Sequence, residues 1–89
     1  MRVEVIGSNM AEIQVNSIAV GEVLILISYS TPVACHIQGK GFFKTAVKRS
    51  QTTTRHINKW IRSHGSNPLL AEEKPQEWFE NILQPVLCG

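Results

Sequence analysis

The sequence predicts an α+β fold in which an antiparallel β-sheet of four to five strands is followed by two α-helices packed on one face. Apolar and polar residues alternate through most of residues 1–47, which is typical of β-strands. After residue 50 the apolar residues recur at every third or fourth position, which is typical of an amphipathic helix. We therefore divide the single domain, 1–89, into a sheet at 1–47, a basic amphipathic helix at 50–65 and an acidic, aromatic helix at 72–84.

The first two strands are predicted to form a hairpin across the turn residues Gly7–Asn9. Val3 and Val5 alternate with charged neighbours, and Ala11–Val15 repeats the alternation. This pattern is typical of a hairpin with one buried face and one solvent-exposed face. The following run, Val23–Ile27, is apolar at every position, which indicates a central strand that is covered on both faces.

A second hairpin is predicted after the turn signal at Ser30–Pro32. One set of side chains, Val33, Cys35 and Ile37, alternates with another, Ala34, His36 and Gln38. Gly39–Gly41 forms the turn, and Phe42–Val47 returns as the partner strand. An antiparallel sheet of this kind has a free edge or an open face, and a homodimer is one way to cover it.

Phe42 and Phe43 are adjacent, so in a strand their side chains point to opposite faces. Either one of them is exposed beside Lys40 and Lys44, where it offers a platform for stacking nucleobases, or helices or a partner chain cover both faces. The second arrangement is common in sheets and is the one that we expect.

The basic helix is the clearest element in the second half of the chain. Ile57, Trp60 and Ile61 recur with helical spacing and form its apolar side. One residue among 50–54 is expected to be the N-cap, because Ser and Thr hydroxyls accept hydrogen bonds from the free amides of the first turn. Gly65 is expected to cap the C-terminal end.

The second helix is expected to begin near Pro75, since proline suits a first helical position, and to end before Pro85. Its apolar face is predicted to contain Trp78, Phe79, Ile82 and Leu83.

Charge is distributed unevenly along the chain. The formal net charge is only +2, but no acidic residue occurs between Val23 and Ala71, where seven of the nine basic residues lie. Such a block attracts polyanions or acidic protein surfaces. We predict that six residues contact the backbone of DNA or RNA with little sequence preference: Lys44, Lys48, Arg49, Arg55, Lys59 and Arg62. Phosphate contacts of this kind weaken as salt rises.

Two other interpretations of these charges stay open. In the first, the basic side chains are the solvated face of an ordinary amphipathic helix. In the second, the acidic residues at 72–80 pack beside the basic helix and neutralise it, within the fold or across a dimer. Either arrangement reduces the field that a polyanion would meet.

No enzyme, cofactor or metal site is predicted. The chain has no Asp, and no GxSxG, HExxH or P-loop motif occurs. The residues able to ligate zinc lack the short spacings of structural zinc sites: Cys35, His36, His56, His64 and Cys88. Cys35 is instead expected as a small buried residue of a strand, and the histidines show no base-and-orienter pattern.

No membrane segment or secretory signal is predicted either. The longest apolar run, Val23–Ile27, is too short to span a bilayer. Residues 1–4 begin with strand-like alternation rather than with a signal peptide. We therefore expect a cytoplasmic protein.

Three segments of the chain resemble a known family. They are Ser28–Ala34 (SYSTPVA), Phe43–Thr45 (FKT) and Thr52–Ile61 (TTTRHINKWI). They are similar to the pattern SYxTPVA, an aromatic-Lys/Arg-Thr strand and TTxxHINKWL of small proteins from phages, plasmids and bacterial genomes that are grouped as a domain of unknown function. The motifs cover about the middle third of the chain, so the first hairpin and the acidic helix are expected to be particular to this protein.

The resemblance implies a phage or mobile-element setting in a bacterial host, where small single-domain proteins often act by binding. It adds an alternative function, a phage-type inhibitor that binds a host protein, in the manner of an anti-CRISPR protein. There the basic face would contact an acidic protein surface, or the acidic end would mimic nucleic acid. The resemblance also draws attention to His56 and Asn58, for which we expect a structural role between helix and sheet.

Overall fold

The computed structural model describes residues 2–18, 21–48 and 50–81, which form one six-stranded sheet with a helix on each face. The strands are β1 (Arg2–Gly7), β2 (Met10–Ser17), β3 (Gly21–Ser28), β4 (Thr31–Ile37), β5 (Gly41–Thr45) and β6 (Glu72–Lys74). The helices are α1 (Gln51–Ser63) and α2, which occupies residues 76–81 of the described chain, and a 3-10 turn, Pro68–Leu70, lies between them.

Strands β1 to β5 form an antiparallel meander in chain order, and β6 is added parallel to β5. The α+β class and the antiparallel sheet are thereby confirmed, but the sheet has six strands rather than four or five. The additional strand, Glu72–Lys74, comes from the segment predicted to begin the second helix. It is a strand because α1 returns the chain to the free edge of β5, where backbone groups are available for parallel pairing.

Helix α1 lies within the predicted range 50–65. Ser50 is the N-cap, and its hydroxyl accepts a hydrogen bond from the amide of Thr53 at 3.2 Å. At the other end Gly65 has a φ of 78°, and its amide donates to the carbonyl of Arg62 at 2.9 Å. Both predicted caps are confirmed, with Gly65 as the left-handed residue that closes the helix.

The two helices pack on opposite faces of the sheet, so the prediction that both cover one face is wrong. The ring of Phe42 lies 5.7 Å from that of Trp60 in α1, whereas the ring of Phe43 lies 5.0 Å from that of Trp78 in α2. The chain reaches β6 from the face that α1 covers, and β6 itself lies in the sheet as its edge strand. The next helix is therefore free to pack on the opposite face. The expectation that both phenylalanines are covered is confirmed.

The central strand supplies both hydrophobic cores, as its uniformly apolar sequence predicts. Leu26 belongs to the core beneath α1, together with Ala34. Ile25 belongs to the second core, together with Cys35 and with Phe79 of α2. Adjacent residues of one strand therefore anchor two layers of helix.

The first hairpin forms as predicted, and Val15 of β2 is buried as expected, but the burial of Glu12 and the exposure of the apolar face of β1 contradict the prediction. Glu12 is only 7% exposed, whereas Val3 and Val5 on the other face are 59% and 79% exposed. The pairing register places Glu12 opposite Leu26, in the layer that α1 covers. The second core contains Val15 of β2 but no residue of β1 among the described residues, so the apolar face of β1 stays open.

No helix among the described residues is long and apolar enough to cross a membrane. Arg49, Ile82, Leu83 and Cys88 lie outside the described residues, as does the predicted end of the second helix at 82–84.

Candidate nucleic-acid interface

The outer side of α1 carries three of the predicted contact residues together: Arg55, Lys59 and Arg62, which we call the basic stripe. Their spacing of four and three positions places them on one side of the helix, and all three are exposed. The buried residues of α1 lie on its other side. At 1.5 Å of rise per residue the stripe is about 10 Å long.

No carboxylate forms an ion pair with the basic stripe within the described residues. The ion pairs found there all lie elsewhere in the fold. The acidic segment is divided by the sheet: Glu73 lies in β6, whereas Glu77 and Glu80 are exposed on α2, across the sheet from α1. Over the described residues, the acidic helix therefore does not pack beside the basic helix of the same chain.

Lys44 and Lys48 lie to one side of the stripe, where they line an open cavity of about 280 Å³. The cavity is also lined by Thr54 and Asn58 from α1 and by Glu73 from β6. Asn58 thus lies at this cavity, one turn from Thr54. The single carboxylate of Glu73 opposes anion binding here, so the cavity is a weaker phosphate site than the stripe.

The other predicted contact residues, Lys44 and Lys48, differ in how available their side chains are for binding a phosphate. Lys44 is half-buried, its Nζ donates to the carbonyl of Pro68 at 3.2 Å, and its pairing partner in β6 is Glu73. Lys48 is exposed in the loop after β5. The structure therefore brings five of the six predicted residues to one side of the molecule, and Arg49 lies outside the described residues.

His56 connects α1 to the sheet, in agreement with the structural role expected for it. Its Nδ1 lies 2.9 Å from Oγ of Ser28 in β3, and the same oxygen lies 3.3 Å from Oγ1 of Thr53. Ser28 is 2% exposed, so this serine–histidine pair does not offer a nucleophile to a substrate. Neither Ser28 nor Thr53 is predicted from the sequence as a partner of His56. The one signal for each is a polar residue at a position where the pattern requires an apolar one.

Tyr29 is a further candidate, which no sequence pattern singles out. It is 51% exposed, and its ring stacks on that of His56 with 5.9 Å between centroids and 27° between planes. Tyr29 and Ser30 form the two-residue turn between β3 and β4, with φ values of 49° and 66°. Both values are left-handed, as in a type I′ turn, which favours Gly or Asn.

Glu12 forms a buried polar cluster at the C-terminal end of α1. Its Oε1 accepts a hydrogen bond from Nε1 of Trp60 at 2.8 Å and lies 2.8 Å from Nε2 of His64. Arg2 approaches its Oε2 at 3.4 Å. The cluster binds the first hairpin to α1 and leaves the basic stripe on the solvent side.

The cysteine and histidine residues give no indication of a metal site in the described part of the chain. No group of three or more His, Cys, Asp or Glu is arranged there to hold a metal ion. Cys35 is fully buried, and burial raises the pKa of its thiol to about 12. A thiol with this pKa stays protonated at neutral pH and is a poor nucleophile and metal ligand.

Comparison with curated proteins and with solved structures finds no match to this chain. A family model described as a family of unknown function matches residues 1–81. The match includes the first hairpin and most of the acidic segment, so the expectation that these parts are particular to this protein is wrong. The chain therefore belongs to a family of unknown function, DUF8033.

Proposed function

We propose that the protein is a small non-enzymatic binding module that contacts the sugar–phosphate backbone of DNA or RNA through the basic stripe. Lys44 and Lys48 extend the contact from the β5 side, and we retain Arg49 from the sequence prediction. The observation that carries this proposal is the exposure of Arg55, Lys59 and Arg62 without an ion-pair partner among the described residues. Side chains of this kind supply sequence-independent affinity by releasing counterions.

The length of the stripe limits how strongly affinity depends on salt. A stripe of about 10 Å spans roughly three phosphates of one strand, since these advance about 3.4 Å along a duplex axis. Each neutralised phosphate contributes about 0.9 to the slope of log K against log salt for a duplex. We expect a slope of about −3 for the stripe alone and about −5 if Lys44, Lys48 and Arg49 also bind.

Fluorescence anisotropy with short single- and double-stranded DNA and RNA, titrated across salt, tests the proposal. Arg55→Ala, Lys59→Ala and Arg62→Ala should each weaken binding for every sequence and reduce the slope by about 0.7 to 0.9. Lys40→Ala is the matched control, because Lys40 is exposed in the turn before β5, outside the proposed contact. Equal slopes for Lys59→Ala and Lys40→Ala would refute the assignment of the stripe.

The resemblance to small phage, plasmid and bacterial proteins supports a setting in the cytoplasm of a bacterial host. It also supports a second candidate function, in which the protein is a phage-type inhibitor that binds a host protein. The exposed apolar side chains of β1, Val3 and Val5, favour this candidate, since they form a surface suited to a protein rather than to a polyanion.

The two candidates predict different binding experiments. The inhibitor should show no affinity for nucleic acid at physiological salt and should co-purify with one host protein. Val5→Lys should abolish that co-purification and leave the fold intact, because Val5 is 79% exposed. A nucleic-acid-binding module should instead tolerate Val5→Lys and lose affinity with Lys59→Ala.

A further inference from the structure

Tyr29 is the one exposed aromatic side chain of this protein, all six of whose aromatic residues lie in the described segments. Trp60 and Phe79 are fully buried, and the three others are buried or half-buried between the sheet and the helices. Only Tyr29, at 51% exposure, offers one side of its ring to solvent.

One face of the Tyr29 ring is held in place by the protein. It stacks on His56, whose Nδ1 is hydrogen-bonded to the buried hydroxyl of Ser28. The amide of Tyr29 donates to the carbonyl of Asn9 at 3.0 Å, which fixes the turn from the other side. Two consecutive left-handed residues that are not glycine persist only where the surroundings impose them, and such strain concentrates at functional positions.

This supported ring lies beside the basic stripe. His56 lies three residues before Lys59, and residues with this spacing are neighbours on a helix surface, so the Tyr29 ring lies at the edge of the stripe on the Lys59 side. We propose that Tyr29 is a stacking platform for an unpaired nucleobase whose flanking phosphates lie on the basic stripe. This inference rests on the proposed nucleic-acid binding and narrows the ligand to single-stranded DNA or RNA, because a paired base does not expose its face for stacking.

The test compares Tyr29→Phe and Tyr29→Asn with the wild-type chain on a single-stranded oligothymidine and on a duplex of the same length. Asparagine accepts left-handed φ values more readily than tyrosine, so Tyr29→Asn keeps the turn and removes the ring. We expect Tyr29→Asn to bind the single strand about 5- to 150-fold more weakly with an unchanged salt slope. Tyr29→Phe should retain wild-type affinity, and neither variant should change duplex binding.

Two failures are distinguishable. If Tyr29→Asn binds the single strand as tightly as wild type while Lys59→Ala still reduces the salt slope, the platform is refuted and the basic stripe stands. If the wild-type chain binds no nucleic acid even at low salt, both proposals fall.

A second inference comes from the free edge of the sheet and does not depend on nucleic-acid binding. β1 borders only β2 among the described strands, and its six residues present backbone groups along an open edge. The opposite edge, β6, has only three residues. Open edges of this length pair readily with another strand.

The charges of β1 are complementary to themselves in one register. When two copies pair antiparallel about a two-fold axis, residues directly opposite each other lie on the same face. Placing Val3 opposite its own copy sets Arg2 of each chain opposite Glu4 of the other. The next register along would set Glu4 against Glu4. Arg2 and Glu4 are 57% and 54% exposed, so both can form such pairs.

We propose that a second copy of this chain pairs with β1 in the register centred on Val3. The two sheets then join into one, and Val3, which is 59% exposed in the single chain, packs against its counterpart. The occupant is a second copy because the two ion pairs in this register form between identical strands.

Sedimentation equilibrium with charge-swap variants tests the register. Arg2→Glu and Glu4→Arg should each be monomeric, since each sets like charges opposite one another. Mixing the two variants should restore a dimer, because one strand is then wholly acidic and the other wholly basic at these positions. Lys40→Glu, a swap at an exposed turn remote from β1, should dimerise like wild type.

Arg2 also contacts Glu12, so Arg2→Glu alone could weaken the fold. The Glu4→Arg variant keeps the test decisive, because the Glu4 side chain is 54% exposed and its one ion pair among the described residues, with Arg2, is long at 3.9 Å. A wild-type chain that is monomeric at its highest soluble concentration overturns the proposal. A Glu4→Arg variant that dimerises alone also overturns it.

Discussion

Glu12 in β2 accepts a hydrogen bond from the indole nitrogen of Trp60 in α1 at 2.8 Å, although strand alternation assigns Glu12 to solvent. The indole is 1% exposed and the carboxylate residue 7% exposed. Two polar groups that are costly to bury therefore satisfy each other at the junction of sheet and helix. This contact positions α1 so that its basic stripe faces outwards.

Removal of the Glu12 carboxylate should destabilise the fold. Glu12→Ala leaves the buried N–H of Trp60 without its partner, and we expect the free energy of unfolding to fall by about 2–3 kcal/mol. Urea denaturation measures the change. Glu77→Ala, which removes an exposed carboxylate on α2, should change stability by less than about 0.5 kcal/mol. Equal losses for the two variants would contradict the role assigned to Glu12.

Ser28 and His56 should be coupled energetically. Because their hydrogen bond joins β3 to α1 at 2.9 Å, a double-mutant cycle of Ser28→Ala and His56→Ala should give a coupling of about 0.5–1.5 kcal/mol. A cycle of Ser28→Ala with Asn58→Ala is the control and should be additive, since Asn58 lines the cavity on the other side of the helix. Coupling of equal size in both cycles would show a general loosening of α1 instead.

Phe79 should be essential to the second core. It is 2% exposed between α2 and the sheet, so Phe79→Ala should lower the free energy of unfolding by about 3–5 kcal/mol. Leu70→Ala is the control, because Leu70 is 79% exposed and its truncation leaves no cavity. A small effect of Phe79→Ala in urea denaturation would contradict the packing of α2 on the face opposite α1.

Removal of the Glu73 carboxylate should improve binding to nucleic acid. Glu73 lies at the cavity with Lys44 and Lys48, where its charge repels phosphate. We expect Glu73→Gln to tighten binding about two- to five-fold at low salt, an effect that salt should screen. Glu77→Gln removes the same charge on the opposite face and should have a smaller effect. Equal gains in anisotropy titrations would indicate a response to net charge alone.

The buried thiol of Cys35 predicts a loss of stability in alkali. Burial raises its pKa from 9.0 to about 12, so above pH 9 the unfolded chain releases a proton that the folded chain retains. The stability due to the protonated thiol is complete below pH 9 and falls by about 1.4 kcal/mol per pH unit until about pH 12. Chemical denaturation between pH 8 and about pH 10.5 should show a shallower decline for Cys35→Ala than for wild type. Parallel declines would contradict the assignment.

Local patterns were sufficient to predict α1, its two caps and strands β1 to β5. The helical spacing of Ile57, Trp60 and Ile61 and the cap at Ser50 act over a few residues, so sequence alone specifies them. The basic stripe follows from the same spacing, since the side of a helix opposite its buried residues must face solvent.

Contacts between distant segments decided what these patterns left open. Glu72–Lys74 has no strand pattern and is a strand because the edge of β5 lies beside it. The side on which α2 packs depends on β6, the edge strand at which the chain crosses from one face of the sheet to the other. The burial of Glu12 depends on α1 covering the polar face of the first hairpin. Alternation shows that a strand has two different faces, but only the elements packed against them determine which face is buried.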